Sequence, residues 1–167
     1  MVTPSTEITE RLASLRKEID ETCSTMTALA DTHQKRAEHA RALDVFFRSV
    51  TAILAVAAPA LVTYSTAAGV AEGFKLLAIF LTGIAGAATT LQAIFGFKQS
   101  YLRAGTSALE LRNAVVDLRD NANVALKQKD ELEAVGLIRS YLEHARKRMT
   151  DVVGSLQLAR LKDYETS

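Results

Sequence analysis

Hydrophobic positions follow two regimes along the chain. In the middle they run together: Ser49 to Ala71 is 23 residues without a charged side chain, and Leu76 to Phe97 is 22 more. On either side they recur at three- and four-residue steps among charged residues. The first regime predicts helices that cross a membrane. Each run reaches about 33–35 Å at the helical rise, against a hydrocarbon layer of about 30 Å. Only Glu72, Gly73, Phe74 and Lys75 separate the runs, so an antiparallel hairpin is expected, with spans at 49–71 and 76–97 and an external loop at 72–75. A hairpin buried in a soluble bundle is the alternative. It fails on size, because the rest of a 167-residue chain is too small to cover two such helices on all faces. The first run is the less apolar, with Ser49, Thr51, Pro59, Thr63, Tyr64, Ser65 and Thr66 in it.

The second regime predicts amphipathic helices. Pro4, Ser5, Thr6 and Glu7 read as a helix start. Ile8, Leu12, Leu15, Ile19, Met26 and Leu29 then make a seam with coiled-coil spacing, Thr22 standing where an apolar residue would continue it. That helix, 1–48, runs into the first span. Leu111, Val115, Leu118 and Ala122 carry the second span onward into the cytoplasm, and Asp120, Asn121 and Asn123 are expected to break the helix. Asp130 with Glu133 reads as a capping box opening a last helix, with a seam at Val135, Ile138, Leu142, Ala145, Met149, Val152, Leu156 and Ala159. The fold class is thus an all-α membrane protein, residues 1–167 forming one domain whose two-helix hairpin continues into long cytoplasmic helices, the C-terminal ones over 98–167.

Basic flanks set the expected orientation. Lys35, Arg36, Arg41 and Arg48 precede the first span, and Lys98, Arg103 and Arg112 follow the second, whereas the connection holds only Lys75. Basic residues stay on the cytoplasmic side, so both termini are expected inside. Phe46, Phe47, Phe95, Phe97 and Tyr101 mark one interface, Tyr64 and Phe74 the other.

Composition narrows the function classes. A net charge of +1 gives no footprint for nucleic acid, and a single cysteine, Cys23, excludes an internal disulfide. Cys23 lies beside the first seam, where a small buried apolar role is expected. His33, His39 and His144 do not have metal-ligand spacing. No phosphate-binding glycine loop follows a strand, and the carboxylates alternate with Lys and Arg as on solvated helix faces. The run Arg146, Lys147, Arg148 reads as such a face too. The chain is therefore expected to be no enzyme and to take no cofactor or metal.

The spans themselves carry more information. Gly83 with Ala87, and Gly86 with Thr90, have the small-xxx-small spacing that lets helices approach closely. Packing within the hairpin is the simplest use, and such surfaces on both helices also imply a homo-oligomer. Thr82, Thr89, Thr90 and Gln92 are polar groups in the second span. They are candidates to line a pore, with interhelical hydrogen bonding as the equal alternative. Pro59 is a candidate kink in the first span.

The exit from the second span, Phe95-Gly-Phe-Lys-Gln-Ser-Tyr-Leu-Arg103 followed by Ala108-Leu-Glu-Leu-Arg112, resembles the SLATT domain family of two-transmembrane proteins from bacterial nucleotide-signalling defence systems. Phe95, Phe97, Tyr101, Arg103, Glu110 and Arg112 fill that family's aromatic, basic and acidic places. The resemblance covers roughly residues 39–154. It implies a pore-forming effector of the bacterial inner (plasma) membrane in anti-phage defence. Its implied partners are the lipid bilayer, further copies of the chain, and a sensor or nucleotide-signalling protein. A membrane-anchored helical scaffold that presents coiled-coil surfaces without conducting is the alternative.

Overall fold

The computed structural model describes residues 4–67, 72–128 and 130–165. Four helices hold nearly all of them: α1 (Pro4–Ala67), α2 (Glu72–Phe95), α3 (Phe97–Ala125) and α4 (Glu131–Glu165). The fold is all-α, with no strand among the described residues. The chain divides into two compact units, one formed by Met1–Arg36 with Arg103–Ser167, the other by Ala37–Leu102.

The first unit packs the seams of α1, α3 and α4 together. Its core takes Leu15, Ile19, Cys23, Met26 and Ala30 from α1, Leu111, Ala114, Val115, Leu118, Ala122 and Ala125 from α3, and Ile138, Leu142, Ala145 and Val152 from α4. Cys23 sits at the centre of the α1 seam and is fully buried, and Thr22 beside it is buried as well. A thiol here behaves as a small hydrophobe. Burial raises its pKa above the ordinary value, and Arg119 works in the opposite direction.

Asp120, Asn121 and Asn123 do not break the helix; α3 continues through them to Ala125. Their propensity cost is at most about 0.7 kcal/mol each, and continuing the helix buries Ala122 and Ala125 beside Leu118. The chain turns after Ala125, where the N–H groups of Lys127 and Gln128 donate to the carbonyls of Val124 and Ala125 at 3.1 Å each. Asp130 then caps α4, its carboxylate accepting from the N–H of Leu132 at 2.9 Å and of Glu133 at 3.3 Å. Such a cap is worth about 1 kcal/mol.

Ion pairs cross the bundle between Arg112 and Asp31 at 3.1 Å, Arg146 and Glu18 at 2.6 Å and Arg148 and Asp117 at 2.9 Å. All are solvent-facing, so they favour one register and add about 0–1 kcal/mol each. Two residues of the Arg146–Arg148 basic run are thereby engaged within the chain. Gly136 lies on the exposed side of α4, and a Cβ there would meet nothing within 4 Å. Gly136→Ala is expected to stabilise the bundle by about 0.5–1 kcal/mol, read as a raised denaturant midpoint.

The second unit pairs α1 beyond Ala37 with α2. Asp44 meets Gln92, Phe47 stacks on Phe97 and Tyr64 lies against Phe74, so the contacts run in opposite senses along the two segments. Covered positions on α1 are Asp44, Phe47, Thr51, Leu54, Ala58 and Leu61; on α2 they are Ala78, Leu81, Ala85, Ala88 and Gln92. Alternating steps of three and four place each set on one stripe.

Residues 68–71, the end of the first expected span, lie outside the described residues. Glu72 to Lys75, expected as a loop, are helical and open α2. The second span does not run unbroken onward either. α2 stops at Phe95, Gly96 takes a left-handed φ of 50°, and α3 begins at Phe97. A side chain at that φ costs about 1–2 kcal/mol, which glycine avoids. Pro59 lies within α1 without ending it; its ring removes the donor that the Ala55 carbonyl would otherwise accept.

Candidate functional site

Asp44 lies a little over one turn before the first uncharged run, on the stripe of α1 that faces α2. Its side chain is 7% exposed. Arg48, one turn on, brings Nε to 3.0 Å from Oδ2. Gln92 donates from Nε2 to Oδ1 at 3.0 Å. Both carboxylate oxygens are therefore engaged, as a buried charge requires. Sequence reading missed Asp44 because it looked for charge only as the limit of a span. The signal was there: Asp44 continues the three–four stripe of Phe47, Thr51, Leu54 and Ala58, and stands four residues before Arg48.

Aromatic rings gather at the same end. Phe47 and Phe97 stack at 5.6 Å with planes 7° apart. Phe95 stacks on Phe97 at 5.6 Å, and Phe46 meets Phe47 edge-on at 5.7 Å. The turn at Gly96 is what sets Phe95 and Phe97 side by side. At the other end Tyr64 and Phe74 are 6.5 Å apart.

Gln92 has a partner that the sequence did not reveal. Pore lining and interhelical hydrogen bonding were equal expectations for this residue. The interhelical hydrogen bond is the arrangement found. Thr82, Thr89 and Thr90 donate to the carbonyls of Ala78, Ala85 and Gly86 at 2.8–2.9 Å, each within its own helix. A threonine bonded this way has its proton satisfied in lipid or in water.

Gly83, Gly86 and Ala87 are exposed rather than packed against α1. A Cβ at either glycine would meet nothing within 4 Å. Ala78, Ala85 and Ala88 already give a low contact stripe, and the Gln92–Asp44 bond fixes the rotation of α2. At about 100° per residue, the uncovered surface of α2 then sorts into two faces. Thr82, Gly83, Gly86, Thr89, Thr90 and Ala93 make one of small and hydroxyl side chains, interrupted by Ile79. Leu76, Phe80, Ile84, Leu91 and Ile94 make the other, bulky and apolar.

Tyr101 is half-buried, and Arg103 and Glu110 are exposed. Arg112 pairs with Asp31 in the bundle unit. No group of His, Cys, Asp or Glu that could hold a metal occurs among the described residues.

No family model, curated protein or solved structure matches the chain.

The chemistry of the arrangement therefore stands alone. It offers a hydrogen-bonded charge at one end of a helix pair, a cluster of rings at the same end, and two helices long and apolar enough to cross a membrane. Of the most apolar 18-residue stretch of each, only 6% and 11% is buried inside the chain. Buried core helices are covered by their own protein; these are not.

Proposed function

We propose that the chain is an oligomeric membrane effector of the bacterial inner membrane, its α1–α2 pair a transmembrane hairpin that forms a pore or channel with further copies. The observation that carries this reading is the uncovered apolar surface. Ile53, Val56, Ile79, Phe80 and Ile94 are all more than half exposed, far beyond what a water-soluble monomer tolerates in one contiguous region. Lipid covers it at no cost.

The two faces of α2 support assembly. Against the lipid-facing bulk of Leu76, Phe80 and Ile84 stands the flat face of Thr82, Gly83, Gly86, Thr89 and Thr90, which admits a second helix closely and offers hydroxyl oxygens to water. Thr82, Thr89 and Thr90 line the path in this reading, while Gln92 acts as an interhelical tie. The basic residues around Arg41, Arg48, Lys98 and Arg103 support a cytoplasmic location for both termini. The SLATT resemblance adds the trigger, a sensor or nucleotide-signalling partner in anti-phage defence. A non-conducting scaffold is the second reading, and the complete core of the three-helix bundle favours it, since that unit can present surfaces by itself.

Flux from liposomes and the membrane potential of expressing cells test the reading together. Wild-type protein is expected to release a small ion and to depolarise cells, and Gly86→Leu to abolish both while the protein still inserts. Absence of flux and of depolarisation from inserted wild-type protein would leave the scaffold ahead.

A further inference from the structure

Arg41 and Arg48 stand two turns apart on one side of α1, about 10 Å along the axis, with Val45 between them. Arg48 uses Nε on Asp44, one of the five N–H donors of a guanidinium, and its side chain stays 56% exposed. Arg41 is exposed and makes no ion pair among the described residues. The carboxylates nearby leave this place to an outside anion. Asp44 is turned inward and buried, and Glu38 has a partner of its own. Val45 is 55% exposed. At about 100° per residue, the same side of α1 continues through Ala52, Val56 and Pro59, all exposed, into the apolar run. One side of the helix thus carries two cations and then uncovered apolar surface. Those are the two parts of a lipid with a negative headgroup and an acyl chain.

We infer that this side of α1 binds one anionic phospholipid of the cytoplasmic leaflet, its phosphate seated over Val45 between Arg41 and Arg48 and an acyl chain lying along Ala52, Val56 and Pro59. The inference rests on the transmembrane reading of the α1–α2 pair and names a lipid for its surface. Any bilayer covers an apolar helix, so the guanidiniums are what make the place selective. Their stems lie along the helix while the charges reach the headgroup layer. A guanidinium offers phosphate two parallel N–H donors. Asp44 already holds Arg48, so binding costs that side chain less freedom. A zwitterionic headgroup would bring its own cation against Arg41 and Arg48, whereas the anionic lipids of the cytoplasmic leaflet bring none. Free phosphate would meet the same two guanidiniums and leave the apolar side uncovered, which decides for the lipid.

Native mass spectrometry of the full chain in detergent tests it, with titration of phosphatidylglycerol and of phosphatidylcholine bearing the same acyl chains. Phosphatidylglycerol is expected to bind more tightly. Arg41→Gln should lower its affinity about fivefold. Val45→Glu, which sets a carboxylate between the two guanidiniums at an exposed position, should lower it at least as much. Lys98→Gln removes an exposed cation beyond the turn at Gly96 and leaves the arginine pair intact, so the affinity should stay within about twofold of wild type. Excess inorganic phosphate should not displace the lipid. Equal affinity for the two lipids, equal losses in Arg41→Gln and Lys98→Gln, or displacement by inorganic phosphate overturns the site. Insertion of the same protein into liposomes then leaves the transmembrane reading in place. A chain that does not insert overturns both.

Discussion

Gln92→Leu is expected to weaken the pairing of α1 with α2 by about 1–3 kcal/mol, because it takes a donor from a buried carboxylate. Asp44→Leu should cost a similar amount for the converse reason, leaving the Gln92 amide unsatisfied among apolar neighbours. The double variant should cost clearly less than the two single losses together, with a coupling of about 0.5–3 kcal/mol. Gln92→Glu is expected to be the worst of the set. It would bring a second carboxylate to the place where Gln92 Nε2 now lies 3.0 Å from Asp44 Oδ1, and Arg48 alone would have to balance both. Unfolding of the detergent-solubilised protein in a rising mole fraction of a denaturing detergent, followed by helicity, measures all four. Additive losses would show that Asp44 and Gln92 act separately and would return Gln92 to the candidates for lining a pore.

Local spacing made most of the helices legible. The α4 seam read from Val135 to Leu156 is the seam that packs, and Asp130 caps where the motif placed it, because a cap and a three–four repeat are satisfied within a few residues of chain. Three things were not legible. The place of Asp44 on the α1 stripe could be read, but not its pairing: Gln92 is 48 residues away, and a single sequence carries no sign of that contact. The break at Gly96 hid inside an apolar run, where hydropathy does not distinguish a left-handed glycine from a helical one. Asp120 to Asn123 signalled a break that tertiary packing overrode, since a propensity cost of at most about 0.7 kcal/mol per residue is offset by burying Ala122 and Ala125. The faces of α2 show the same limit: small-xxx-small spacing found Gly83 and Gly86 but gave no account of whether they meet α1 or another copy.

Ile138→Ala is expected to destabilise the bundle unit by about 2–5 kcal/mol. Ile138 is fully buried, as are Met26 and Leu111 on the other two helices of that core. Removing three carbons leaves a cavity that three stiff helices cannot close. Against a typical total stability of about 5–15 kcal/mol for a domain, that is a large fraction. Val124→Ala on α3, where the side chain is 63% exposed, should change little and serves as the matched control. Hydrogen exchange on the full chain reads the result by segment. Amides of α4 and of α3 beyond Arg103 should lose protection in Ile138→Ala, while those of α2 keep theirs, because α2 contributes nothing to the Ile138 core. Equal loss in α2 would mean that the two units open as one cooperative body, α1 and α3 passing the disturbance on along their backbones. That outcome would give the long helices a direct way to carry a signal from the bundle to the apolar pair.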